Sequence, residues 1–306
     1  MPILKLKPAC KDYLWGGERL REEFRIPFEG HPLAEAWVLS GHPDGPSVIE
    51  NGPWAGRTLP EYIAQAGPSV LGAGGQRELP ILIKLIDAAR DLSVQVHPSD
   101  EYALAHEGQQ GKTEAWYIVD AQPGARLYYG FREETDREAV AAAVAAGTLT
   151  ELLQSVPVHP GDLFFIPPGT VHAIGAGILL AEVQQSSNVT YRLYDYNRLG
   201  ADGKPRPLHL EKALAVANLC PPPADRNFGG HLVRCDYFTA DRLEAPCAGL
   251  SGAESFTSLV VLSGAGEIVQ GAERLPLSKG DSLFLPAGSG PWEVTGDCVL
   301  LQSRLG

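Results

Sequence analysis

Several common features are missing from this sequence. No apolar run approaches the roughly 20 residues that cross a bilayer. The start, Met1-Pro2-Ile3-Leu4-Lys5-Leu6-Lys7, lacks the longer apolar core of a signal peptide. There is no Cys-x-x-Cys pair. The five cysteines, at 10, 220, 235, 247 and 298, are odd in number and scattered. Neither a disulfide framework nor a cysteine zinc site is expected from them, and a reducing cytoplasm is the simplest setting. Basic runs are missing too. The chain has 25 Lys and Arg against 37 Asp and Glu, a net charge of -12. Nucleic acid and anionic membrane are poor partners for such a chain. An anionic small molecule is also repelled, so it needs a local cationic cluster. Lysines and arginines inside apolar strands gain interest for that reason.

What is present is ordinary in bulk. The 306 residues suffice for two domains, and 44% hydrophobic with 20% charged suits a globular protein. The local interest lies between 92 and 114. Ser93-Val94-Gln95-Val96-His97-Pro98 reads as a strand ending in a proline turn, with Gln95 and His97 on one face. Lys112 and Glu114 share a face of a second strand, 111–119. His172 follows the stiff turn Ile166-Pro167-Pro168-Gly169-Thr170-Val171. Two imidazoles, a carboxylate and an amide on a β scaffold make a plausible divalent-metal site. A lone strand histidine is more often structural, and a Lys-x-Glu pair is more often solvated. Here the polar groups sit in otherwise apolar strands, where each needs a partner.

Further strands are expected at 35–40, 79–87, 125–131, 163–167, 177–185 and 190–196. Glu182 lies on the fifth of these. Arg192 lies on the sixth, with Tyr194 and Tyr196 on its face. Lys84 interrupts the run 80–86, where it either snorkels to a rim or meets an anion in a cavity. Helices are expected at 59–66, 138–146 and 209–219, and after Pro98 with Ser99 or Asp100 as N-cap. Pro221-Pro222-Pro223 marks a boundary between domains 1–220 and 221–306. The second domain echoes the first. Gly161-Asp162-Leu163-Phe164-Phe165-Ile166-Pro167-Pro168-Gly169-Thr170 is matched by Gly280-Asp281-Ser282-Leu283-Phe284-Leu285-Pro286-Ala287-Gly288-Ser289. The first copy leads to His172 and the second to Pro291. The expected fold is mainly β: two cupin-type jelly-roll β-barrels with a few short helices, the second degenerate and without metal.

Four segments resemble the class I mannose-6-phosphate isomerases, in their short bacterial form. They are Val94-Gln95-Val96-His97-Pro98 with Asp100-Glu101-Tyr102-Ala103; Gly111-Lys112-Thr113-Glu114-Ala115-Trp116-Tyr117; Ile166-Pro167-Pro168-Gly169-Thr170-Val171-His172-Ala173-Ile174; and the run from Glu182-Val183-Gln184-Gln185 through Tyr191-Arg192-Leu193-Tyr194-Asp195-Tyr196. The resemblance implies one zinc ion per chain on Gln95, His97, Glu114 and His172. It implies an active-site arginine at Arg192, with Lys112 and Glu182 as candidate proton carriers. The substrate is then a small sugar phosphate, mannose 6-phosphate, converted to fructose 6-phosphate through an enediol or enediolate. Arg192 suits a phosphate or an enediolate oxygen, and Lys84 is a further phosphate candidate. One position departs: Asn188 stands where the family commonly has Asp, and an amide exchanges no proton at neutral pH. Two rivals share parts of the pattern. A non-haem iron oxygenase uses two histidines and a carboxylate, and a regulatory sugar-binding barrel needs no proton carrier.

Overall fold

The computed structural model describes residues 2–200, 203–223 and 228–306. Among them the alternating patterns become twenty strands, with six short α-helices. The protein is therefore mainly β. The strands form three sheets of nine, six and five, none closed on itself into a barrel.

The six-stranded sheet is the central layer. Its order is Leu163–Ile166, Glu114–Ala121, Ile178–Gln185, Ile81–Ala88, Glu35–Leu39, Ala9–Lys11. Ile81–Ala88 and Ile178–Gln185 are buried at every position. Both faces are covered, which is why these strands read as near-continuous apolar runs. One face packs on the nine-stranded sheet through Ile81, Ile83, Leu85, Leu179, Ala181 and Val183. The other carries Ile86, Trp116, Ile118, Ile178 and Leu180 and meets the five-stranded sheet. That smaller sheet runs Tyr191–Tyr194, Val94–Val96, His172–Ile174, Arg126–Phe131, Leu153–Pro157. Its outer face packs under helices, with Val94, Val96, Val171 and Ala173 clustered with the helical Val140 and Ala213.

The helices end where local chemistry ends them. Leu59–Ala66 starts at a reciprocal Thr58–Glu61 capping box. Arg137–Ala146 is capped by Asp136 and stopped by Gly147 in the left-handed region. Asp100–His106 has Ser99 as its N-cap. The helix expected over 209–219 is shorter, Leu210–Val216. Ala217 is extended, and the Asn218 N–H donates to the Gly169 carbonyl at 2.7 Å instead of continuing the helix.

The internal repeat is real in three dimensions. Gly161 and Gly280 have φ of 94° and 96°. The His159 and Ser278 N–H groups donate to Asp162 and Asp281 carboxylates at 2.7 and 2.9 Å. Both copies then enter a short strand and a proline turn. Their exits differ. The first presents His172 to a polar gap, while the second leads to Trp292, 1% exposed and packed with Ile268, Leu285 and Val294. His231 lies elsewhere, in the bend before the strand Val233–Arg234, 3.0 Å from Asp241.

That sheet also takes strands from the chain's beginning. Leu4–Lys7 pairs antiparallel with Ser282–Leu285, placing Leu6 opposite Ser282. Val48–Ile49 pairs beside it.

Candidate active site

Strand parity delivers the polar side chains to one gap. Val94 and Val96 face the helices, so Gln95 and His97 turn toward the six-stranded sheet. Val171 and Ala173 face the helices, so His172 turns the same way. From the opposite sheet, Ala115 and Tyr117 face the nine-stranded layer, leaving Glu114 and Trp116 in the gap. The same parity sends Lys84 and Glu182 inward. In the ladder Gln95 stands between His172 and Arg192, and Glu182 between Trp116 and Lys84.

His97, Glu114 and His172 offer ligand atoms all within 4.8 Å of one another. His97 Nε2 is 3.6 Å from Glu114 Oε2, and His172 Nε2 is 3.3 Å from Oε1. His97 Nδ1 lies 2.9 Å from the Val189 carbonyl, and His172 Nδ1 2.8 Å from that of Thr170. A carbonyl only accepts, so Nδ1 carries the proton in each ring and Nε2 keeps its lone pair for the gap. Gln95 Nε2 lies 3.3 Å from His172 Nε2, and a half-turn of the amide offers its oxygen instead. Burial pushes His172 down to about 4 and His97 well below its ordinary value, so both rings are neutral at neutral pH.

The surrounding charges do not balance. Lys112 Nζ is 2.8 Å from Glu114 Oε2, 3.3 Å from His97 Nε2 and 3.8 Å from Glu182 Oε1. Lys84 Nζ is 2.9 Å from Glu182 Oε1 and 3.7 Å from Glu35 Oε2. Trp116 and Trp37 donate indole N–H bonds to Glu182 and Glu35 at 3.0 and 2.7 Å. All five charged groups are buried. Two lysines thus face three carboxylates. Neither Glu114 oxygen receives a well-directed hydrogen bond, although Lys112 sits beside one. Burial pushes the Glu114 carboxyl up to about 7, against the pull of Lys112. Burial also raises Glu182, but Lys112 and Lys84 outweigh it and hold that carboxyl below its ordinary range. An under-coordinated carboxylate between two imidazole lone pairs and an amide fits a divalent cation.

Arg192 lies along the ladder from Gln95. It donates through Nε to Ser93 Oγ at 3.2 Å and through Nη1 to the Pro207 carbonyl at 3.1 Å. It makes no ion pair among the described residues, which leaves its charge for an anion. Tyr194 and Tyr196 do not share its face. The ladder shifts register between Arg192 and Tyr194, and both tyrosines pack with Tyr191 and Leu193 on the far side. Asn188 is exposed and donates to Asp44 Oδ2 at 3.0 Å. An open groove of about 980 Å³ borders Asn188, Val189, Asp44 and Lys212 without touching the ligand set. The groove and the donor set are therefore separate features of the molecule.

Lys84 does not snorkel. It is 5% exposed and points into the gap. Sequence reasoning missed Glu35, Trp37, Trp116 and Ser93. Glu35 carried the same signal as Lys84, a charge in an apolar strand, in register with Trp37 two residues on.

Comparison with known proteins gives the family. A model for the type I phosphomannose isomerase catalytic domain matches residues 3–120, and one for the mannose-6-phosphate isomerase cupin domain matches 230–305. A mannose-6-phosphate isomerase of Bacillus subtilis is 39% identical, covering 99% of this chain and 98% of its own. One from Streptococcus mutans is also 39% identical, with 98% of both chains covered. The crystal structure of the mannose 6-phosphate isomerase from Bacillus subtilis superposes with a TM-score of 0.91 at 34% identity, covering 99% of each chain. With likeness of that extent from end to end, the chain belongs to the type I mannose-6-phosphate isomerase family.

Proposed function

We propose that the protein interconverts mannose 6-phosphate and fructose 6-phosphate, using one zinc ion per chain held by Gln95, His97, Glu114 and His172. The observation that carries this reading is the meeting of those four side chains with Lys112 and Glu182 at one buried point. After ring opening, the reaction moves a proton between C2 and C1 of the open-chain sugar. Negative charge grows on O1 and O2 as it does so. When bound, zinc supplies Lewis-acid stabilisation of that charge. The protein's own groups do the rest. Lys112 and Glu182 face each other at 3.8 Å and form the proton-carrying pair. Lys84 and Trp116 fix the Glu182 carboxylate from two sides. Arg192 holds an oxyanion of the substrate, phosphate or enediolate, with a planar fork braced by Ser93 and Pro207. Lys84, the other phosphate candidate, is already engaged by Glu182 and Glu35, which leaves Arg192, of the two, as the free cation for the phosphate.

In this reading residues 1–220 carry the chemistry, and the five- and six-stranded sheets are the walls of a cupin-type jelly roll. Residues 221–306 form a second, degenerate one, completed by Leu4–Lys7. The enzyme works in a reducing cytoplasm. A coupled assay of fructose 6-phosphate formation tests the activity. Chelation is expected to abolish it and zinc to restore it, and His97→Ala or His172→Ala to lose the metal. Full activity in chelator, or zinc retained by both variants, would refute the site. Exchange of the C2 hydrogen with deuterated solvent separates an isomerase from a sugar-binding barrel.

A further inference from the structure

Asp100 stands three residues after His97 and begins the helix Asp100–His106. Its carboxylate gathers donors from separate parts of the chain. Oδ1 accepts the Gly111 N–H at 2.7 Å and Gln185 Nε2 at 2.9 Å. Oδ2 accepts the Tyr237 hydroxyl at 2.8 Å. Gln185 in turn accepts the Thr113 N–H on Oε1 at 2.8 Å and donates its own N–H to the Thr113 carbonyl at 3.1 Å. The Lys112 N–H donates to the Pro98 carbonyl at 3.0 Å.

One carboxylate therefore ties together the turn leaving His97, the segment carrying Lys112 and Glu114, and the end of the strand carrying Glu182. The packing there has no slack. A Cβ on Gly111 would lie 2.4 Å from the Ser99 carbonyl carbon and 2.5 Å from the Asp100 nitrogen. The remaining donor, Tyr237, comes from the other part of the molecule. It immediately precedes the strand Phe238–Glu244 of the nine-stranded sheet. Its ring is only partly exposed, with its hydroxyl on Asp100.

We propose that Tyr237 and Asp100 are positioning residues through which the C-terminal sheet sets the placement of His97, Lys112 and Glu114. The C-terminal part then acts on turnover without touching substrate. Displacements well under 1 Å at reacting groups change rates severalfold or more, so a hydrogen bond that fixes the Gly111–Glu114 segment has kinetic weight.

The test compares Tyr237→Phe, Asp100→Asn, Asp100→Ala and the Asp100→Ala/Tyr237→Phe double variant with the parent holoenzyme. Three quantities are read: kcat and KM, the rate of zinc release into a chelator, and Tm. Tyr237→Phe keeps its ring and is expected to lower kcat and speed zinc release by about tenfold, the scale of a lost supporting hydrogen bond around a metal site. KM stays within about twofold, since no substrate contact is removed. Asp100→Ala loses more. Asp100→Asn keeps an acceptor for Gly111 and Gln185 and recovers most of that loss. The double variant is no worse than Asp100→Ala, because the tyrosine's partner is already gone. Parent-like kcat and zinc release in Tyr237→Phe would overturn the proposal, even with a lowered Tm. So would a fully additive loss in the double variant. The kcat arm rests on the isomerase reading and the zinc-release arm on the metal site alone; a parent that binds no zinc or does not isomerise refutes that reading, whereas a parent-like Tyr237→Phe variant of an active, zinc-loaded parent refutes this one.

Discussion

Replacing Lys84 with methionine removes a charge and very little volume. The side chain is 6% exposed, lies 2.9 Å from Glu182 and 3.7 Å from Glu35, and has the Trp37 ring 5.4 Å away. Burial pulls the Lys84 ammonium's pKa down, but Glu182 and Glu35 outweigh it and hold it above its ordinary value. Glu182 is held below its own. Both partners are therefore ionised at neutral pH. Methionine fills the space of the lysine stem, so no cavity contributes. The cost is that of two buried carboxylates losing a cation. Breaking a buried pair from one side costs about 3–5 kcal/mol. Lys112 remains 3.8 Å from Glu182, and Trp116 still donates to it, which sets the expectation at the lower end, about 3 kcal/mol. Urea unfolding of the zinc-loaded protein at pH 7, followed by tryptophan fluorescence, measures it. Adding Glu182→Gln to Lys84→Met removes the nearer of the two orphaned charges and leaves that of Glu35. The double variant is expected to recover at least about 1 kcal/mol over the additive sum. A Lys84→Met protein within about 1 kcal/mol of the parent would mean that water screens the pair. Strict additivity in the double variant would refute the coupling itself.

The same structure carries other expectations. Arg192→Ala is expected to lower kcat/KM by about 3 kcal/mol, the scale of one preorganised charge contact, with the fold intact; an unchanged rate removes Arg192 from the site. Asn188→Asp places a second carboxylate 3.0 Å from Asp44 on an exposed surface. Its stability is expected within about 0.5 kcal/mol of the parent and kcat not lowered; inactivation of a folded protein would show a differently built site. Asp195 tests pH dependence. Burial raises its carboxyl, but hydrogen bonds from Arg206 and Arg198 prevail and its folded pKa lies below the ordinary value. A depressed carboxylate contributes stability above its unfolded pKa, about 3.9, and loses it as pH falls through the lower folded value. The urea-midpoint gap between parent and Asp195→Asn is thus expected to be full at pH 6 and to shrink below about pH 4. A gap that does not change with pH would show that the arginines do not favour the charged form.

The sequence exposes those parts of the site that depend on parity within one strand. Lys84 and Glu182 each break an apolar run and Glu114 heads one, and a two-residue period in a twice-covered sheet leaves each only one direction that meets polar company. Parity fails at Tyr194 because a register shift is a property of two strands, and the strand Tyr191–Tyr194 alone does not contain it. The same limit hides larger features. Pro221-Pro222-Pro223 is a visible break in the chain, yet Leu6 lies opposite Ser282, a pairing that no local signal marks. Glu35 was visible as a charge but not as a partner, since its reach to Lys84 depends on how Glu35–Leu39 aligns with Ile81–Ala88. Asp100 is the extreme case. In the chain it looks like a helix-start residue, a role that a carboxylate fills at many helix N-termini without further consequence. Its bonds run instead to Gly111, Gln185 and Tyr237, which lie 11, 85 and 137 residues away. Local pattern therefore predicts which groups face the site. How firmly they are held is decided by contacts of long sequence separation.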